Sequence, residues 1–188
     1  MKQKQDLRVF KTKKNLYESL IDLLSEKPFE EIKVSDICEQ AYINRSTFYA
    51  HYSDKYELFA DLIEDLRSSL ALELTSNENI SNSREYYLEM LKIFLNHVEE
   101  KKKIYFSIMI HNKNSIIMDM VYDTLNEDIK IRIEKEKSII IPNIPSDIVT
   151  KFYLGAVFNV GMEWIKNHSK YTKQQIIEYL DTLLPNPM

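Results

Sequence analysis

The sequence predicts an all-α protein of about nine helices, a three-helix N-terminal head on a helical-bundle body, and three observations lead there. Breakers are confined to the ends and one loop: no Pro occurs between Phe29 and Ile141, and the only glycines are Gly155 and Gly161. Apolar residues recur at intervals of three and four in segment after segment, which places them on one side of a helix. No stretch alternates apolar and polar residues as a half-buried strand does, and there is no internal repeat.

Residues 32–59, IKVSDICEQAYINRSTFYAHYSDKYELF, hold two short helices and a tight turn ahead of a third. Ile32, Val34, Ile37, Ala41 and Ile43 form an apolar seam along a helix over 35–41. Asn44 stands where its side-chain oxygen can accept from the free N–H groups of a second helix starting at Arg45. Ser53 or Asp54 caps a helix over 54–75 that links head to body and ends in the polar stretch 76–83. Further helices are predicted over 84–100 (Tyr87, Leu91, Phe94, Leu95, Val98), 101–111 and 114–137 (Ile117, Val121, Leu125, Ile129, Ile133). The segment IIIPNIPS interrupts the pattern at Pro142 and Pro145; Ser146 then caps a helix over 146–168, and Thr172 caps a last one ending before Pro185.

The second helix of the head carries the chemistry. Phe48 and Tyr52, four apart, share its inward face, whereas Arg45, Ser46, Thr47 and Tyr49 form an outward row able to hydrogen-bond. Two helices joined by so short a turn, the second offering polar side chains from its N-terminal end, fit a helix-turn-helix whose second helix enters the DNA major groove. Arg45 suits bidentate contact with guanine N7 and O6, while Tyr49, His51 and Lys55 suit phosphates, which fix register without reading sequence. Lys33, Ser35, Asn44, Ser46 and Thr47 complete the candidate DNA contacts.

At these residues the chain resembles the TetR/AcrR family of bacterial transcriptional regulators. Ile32, Val34, Asp36, Ile37, Ala41, Ile43, Thr47, Phe48, Tyr49, His51, Tyr52, Lys55 and Leu58 match its N-terminal pattern, which covers the chain from about Arg8 to Phe59. The resemblance implies an all-α fold and a dimeric repressor of a pseudo-palindromic operator released by a small-molecule effector. It also implies that Lys55, at the start of the third helix, faces a phosphate. The C-terminal YLGAVFNVGMEWIKNH resembles one subset of the family less specifically. The head departs from the family at Lys33, where a small or capping residue is usual, and at Tyr42, where Gly is usual. Only Gly takes a positive φ without strain, so the turn either differs in geometry or holds a strained tyrosine.

The net charge of −4 argues against a nucleic-acid partner until its distribution is considered. Residues 1–14 hold six basic groups against Asp6 alone, whereas residues 61–188 hold 15 basic and 19 acidic ones. Positive charge is therefore concentrated beside the helix-turn-helix, where Lys11, Lys13 and Lys14 are expected to flank the duplex. No apolar run approaches a membrane span, no signal-type apolar segment follows the basic N-terminus, and Cys38 has no intrachain partner, so a cytoplasmic protein is expected.

The predicted division is a DNA-binding head over 1–56 and a regulatory and dimerisation body over 57–188. Half a site per monomer calls for a two-fold dimer. Gly155, Ala156 and Gly161, with Phe152, Phe158, Met162 and Ile165, suit a homodimer through helices near 146–168 and 172–184, although packing within the chain also accounts for them. Phe94, Tyr105, Phe106, Met109, Met118 and Tyr122 suit the lining of an effector cavity, and core packing explains them equally well. Polar candidates to orient a ligand are His97, His111, Asn112 and Glu163. No metal spacing, cofactor motif or nucleophile motif is present, so an enzyme is not expected. The competing reading is a helix-turn-helix adaptor or co-activator that works through a protein partner without an effector.

Overall fold

The computed structural model describes residues 2–75, 83–112, 115–135, 144–167 and 170–183. The described residues form nine α-helices and no strand: α1 (Lys2–Glu26), α2 (Val34–Gln40), α3 (Arg45–Tyr49), α4 (Lys55–Thr75), α5 (Ser83–Glu100), α6 (Lys102–Asn112), α7 (Ile116–Lys135), α8 (Ser146–Lys166) and α9 (Lys173–Leu183), with a 3-10 turn at Phe29–Glu31. The expected polar stretch after α4 and the Pro142 end of the loop before α8 lie outside the described residues.

The chain forms two compact units, Met1–Leu66 with Lys103–Met118, and Arg67–Lys102 with Asp119–Met188. The first unit thus extends past the expected boundary at residue 56 and takes in all but the first residue of α6 and the start of α7. Its core holds Leu16, Leu20 and Leu24, one turn apart on α1 and all but fully buried, and the equally buried Phe29, Ile32, Ile37, Phe48, Leu58, Met109 and Ile117. Burying each large apolar side chain contributes roughly 1.5–3 kcal/mol. Pro28 ends the first helical run, because the residue before a proline is pushed out of the α region and the ring offers no N–H.

Within this unit Asp61 of α4 joins three segments. Its Oδ2 accepts hydrogen bonds from Lys13 Nζ at 2.7 Å, Tyr17 Oη at 2.7 Å and Tyr52 Oη at 2.5 Å. Burial pushes its carboxyl up, but the Lys13 ammonium and the two hydroxyls outweigh it and hold the group below the usual carboxylate range. Burial foremost, and next the bond each makes to Asp61, pushes both tyrosine hydroxyls far above theirs. Lys13 is therefore a strut between α1 and α4. Asp54, one of the two expected caps, closes the start of α4 by accepting from the Tyr56 and Glu57 N–H groups at 2.8 and 2.9 Å.

The second unit is built on α9, which packs against both α5 and α8. Leu88, Leu91, Leu95 and Val98 of α5 and Ile176, Ile177 and Leu180 of α9 are buried, as are Val149, Leu154, Trp164 and Ile165 of α8. Lys173 at the start of α9 donates to Asn96 and Glu99 of α5. Thr172 caps α9 as expected, its Oγ1 accepting the Gln175 N–H while Gln175 Oε1 accepts the Thr172 N–H. Ser146 does not cap α8: it is the first helical residue, and Pro145 occupies the N-cap position, its ring fixing φ at −58°.

Candidate nucleic-acid interface

α2 starts at a polar knot. Asp36 accepts from the Lys33 N–H at 3.2 Å and from Lys27 Nζ at 2.7 Å, and Ser35 Oγ donates to its other oxygen at 3.3 Å. The Lys27 hydrogen bond foremost, against the pull of burial, holds the Asp36 carboxyl below the usual range. Of the two α2 candidates, Lys33 therefore points into solvent, whereas Ser35 is half-buried and tied to its neighbour.

The turn after α2 is a Schellman motif. The Tyr42 N–H donates to Glu39 O at 3.1 Å and the Ile43 N–H to Cys38 O at 3.0 Å, which satisfies two carbonyls at the helix end. The residue between these bonds must be left-handed, and Tyr42 is, with φ 55°. The turn is thus the geometry that usually takes Gly, and the strain, on the order of 1 kcal/mol, is retained.

Asn44 has the extended backbone of an N-cap and its carbonyl accepts from Thr47 at 2.9 Å and Phe48 at 3.2 Å, but its side chain makes no capping bond. The amide therefore faces outward with the α3 row rather than serving the helix. Phe48, fully buried, anchors α3 to the core; Arg45, Ser46 and Tyr49 are exposed and Thr47 is half-buried. Tyr52 is buried as expected, and His51 beside it is half-buried. The structure so brings Asn44, Arg45, Ser46, Thr47 and Tyr49 together on a segment of one and a half turns.

Lys55 has a different position from the one expected. Its Nζ donates to the carbonyl oxygens of Phe29 at 2.6 Å, Glu30 at 3.1 Å and Ile32 at 2.8 Å, and lies 4.5 Å from the centre of the Phe29 ring. An ammonium has three donors, and all three close the 3-10 turn. Burial pulls its pKa down against the opposing charges of Glu30 and Asp36.

The other side of that turn is held from α6, a link that sequence reasoning missed. Asn112, fully buried, accepts the Phe29 N–H at 2.7 Å and donates to Leu24 O and Ile108 O, each at 3.0 Å. Ser115 Oγ donates to Glu30 at 2.7 Å, and this bond foremost holds the Glu30 carboxyl below its usual range. Asn112, read from sequence as a polar group for a ligand, thus spends its oxygen and both N–H donors on the fold. No local pattern marks such a pairing across 83 residues.

The effector candidates are divided between the units. Tyr105, Met109 and Met118 belong to the first, where Met109 is buried and burial pushes the Tyr105 hydroxyl up to about 12. Phe94 and Tyr122 belong to the second, where the Tyr122 ring stands edge-on to Phe158 with centroids 5.8 Å apart. Phe106, on the first unit, and His111 are exposed; Glu163 is exposed and accepts from Asn167, and burial foremost lowers the pKa of His97. Among the described residues no cluster of His, Cys, Asp or Glu is arranged to hold a metal ion, and no helix is long and apolar enough to cross a membrane. Burial raises the Cys38 thiol, opposed by the charge of Arg45, so it is a core residue.

A short outward-facing helix, seated on a buried aromatic after a fixed turn, defines a helix-turn-helix DNA-binding protein. The family model for bacterial regulatory proteins of the TetR family matches residues 16–62, and that for a transcriptional regulator C-terminal region matches residues 85–186. The chain belongs to the TetR family and is a DNA-binding transcriptional regulator. It is 42% identical over 65 residues to the HTH-type transcriptional regulator YxbF of Bacillus subtilis (strain 168), a match spanning 34% of this chain and 17% of that one. It is 28% identical over 105 residues to the HTH-type dhaKLM operon transcriptional activator DhaS of Lactococcus lactis subsp. lactis (strain IL1403), spanning 55% of this chain and 51% of that one. The crystal structure of a TetR transcriptional regulator from Streptococcus agalactiae 2603V superposes with TM-score 0.71 at 25% identity, covering 99% of this chain and 100% of that one.

Proposed function

We propose that the protein is a dimeric repressor that places α3 of each subunit in the major groove of a pseudo-palindromic operator and leaves it when a small-molecule effector binds. The observation that carries this reading is the exposed row Arg45, Ser46, Tyr49 with Asn44 and Thr47, held on the buried Phe48. Arg45 reads a guanine; Tyr49, His51 and Lys33 serve phosphates. Lys55 serves the interface by fixing the turn beneath α4. Residues 1–56 act as the DNA-binding head and 57–188 as the regulatory and dimerisation body.

Dimerisation uses α8 and α9. Ile148 and Phe152, four apart on α8, are 53% and 70% exposed, and Tyr179 and Leu183 stand exposed four apart on α9. Ile165, in contrast, is buried within the chain and does not belong to that surface. Family membership supports an effector, with Phe94 and Tyr122 as lining candidates within the second unit.

A second reading, activation rather than repression, is favoured by the likeness to a protein named as an operon activator. Titration of DNA flanking its own gene at several salt concentrations tests the core of both: specific binding must weaken steeply with salt. Binding without preference for any such duplex would remove the regulator's proposed operator. Transcription from that promoter with and without the protein separates repression from activation.

A further inference from the structure

Tyr42 is the one residue other than glycine with a positive φ among the described residues, and its side chain is 96% exposed. A left-handed tyrosine destabilises the fold, and a side chain so exposed returns nothing by burial. Glycine would form the same turn without strain. Strain that the fold does not need is found where function needs it.

We propose that Tyr42 is a DNA-contacting residue, its phenol hydroxyl donating a hydrogen bond to a backbone phosphate at the edge of the half-site. The proposal rests on α3 lying in the major groove. Tyr42 stands three positions before Arg45, in a turn fixed by the bonds to Glu39 and Cys38, so its exposed side chain is carried on a backbone held next to the start of the reading helix. Arg45, Ser46 and Thr47 at the start of α3 take the base edges, and what flanks them along the groove is phosphate. Tyrosine is among the side chains that bond phosphates, and as a neutral donor it adds affinity and register without releasing a counterion.

The test compares wild type, Tyr42→Gly and Tyr42→Phe on a labelled duplex from the DNA flanking the gene and on a scrambled duplex of equal length, across a salt series. Tyr42→Gly is expected to melt a few degrees higher than wild type yet bind the specific duplex about 5–10-fold more weakly, the size of one lost hydrogen bond, with an unchanged salt slope. Tyr42→Phe should melt as wild type does and show most of the same loss. Wild-type affinity in Tyr42→Gly would overturn the proposal, as would a melting temperature below wild type or a loss accompanied by a shallower salt slope. A wild-type protein that did not distinguish the two duplexes would instead overturn the operator reading, and this contact with it, before any variant was measured.

Discussion

The side-chain oxygen of Asn112 accepts the backbone N–H of Phe29 at 2.7 Å, which fixes the end of α6 to the turn that leads into the helix-turn-helix. The Asn112 amide also satisfies Leu24 O, so the last turn of α1 and the 3-10 turn share one buried group. Lys55 holds the same turn through three carbonyls from the α4 side. Phe29 and its neighbours are therefore a junction at which α1, α4 and α6 are fixed relative to α2.

Replacing Asn112 by Ala should leave the Phe29 N–H and Leu24 carbonyl buried without partners. Each orphaned group costs about 1–3 kcal/mol, so a loss of roughly 2–6 kcal/mol is expected. The midpoint of urea unfolding reads it. An unchanged midpoint would show that water or a shifted side chain replaces the amide.

Lys55→Met keeps the aliphatic stem against Phe29 and removes the ammonium. Three carbonyls lose their donor, and stability should fall by about 1–3 kcal/mol. Because those donors already serve the fold, the salt slope of DNA binding should stay as in wild type. A phosphate contact would instead lower the slope by about 1, with little change in stability.

The legible part of the molecule was the part written in local pattern. Helical spacing and the near absence of Gly and Pro place every helix of the described residues after α1, and Thr172 is legible as the cap of α9. The departure at Tyr42 leaves an altered turn or a strained tyrosine open, and the φ of 55° decides for the second. Bonds between segments distant in sequence left no such trace: nothing about Lys55 or Asn112 in isolation tells a structural donor from a phosphate or ligand contact. The same blindness applies to Met109, whose chemistry suits a cavity wall as well as the core where it is buried.

The Asp61 carboxylate should make stability depend on pH in acid. Its folded pKa is depressed, so its contribution is complete above the unfolded value near 4 and is lost as pH falls through the lower folded value. The Asp61 side chain is 33% exposed and that of Lys13 38%, so solvent screening limits the effect to about 1 kcal/mol. Asp61→Asn should thus be less stable than wild type near neutral pH, and the difference should shrink below about pH 4. A difference that stayed constant from neutral pH to about pH 3 would assign the loss to packing and not to charge.

Arg45→Ala tests how the labour is divided on α3. Arg45 is exposed at the first helical position, where nothing in the core depends on it, so stability should be unaffected. If its guanidinium bonds guanine N7 and O6, removing it should cost about 1–3 kcal/mol on the preferred operator and much less on operators altered at that one base pair. Affinities of wild type and variant for a set of single-base operator substitutions provide the measurement. A uniform loss across the set, with sequence preference intact, would move Arg45 to the phosphates and leave base reading to Asn44, Ser46 and Thr47.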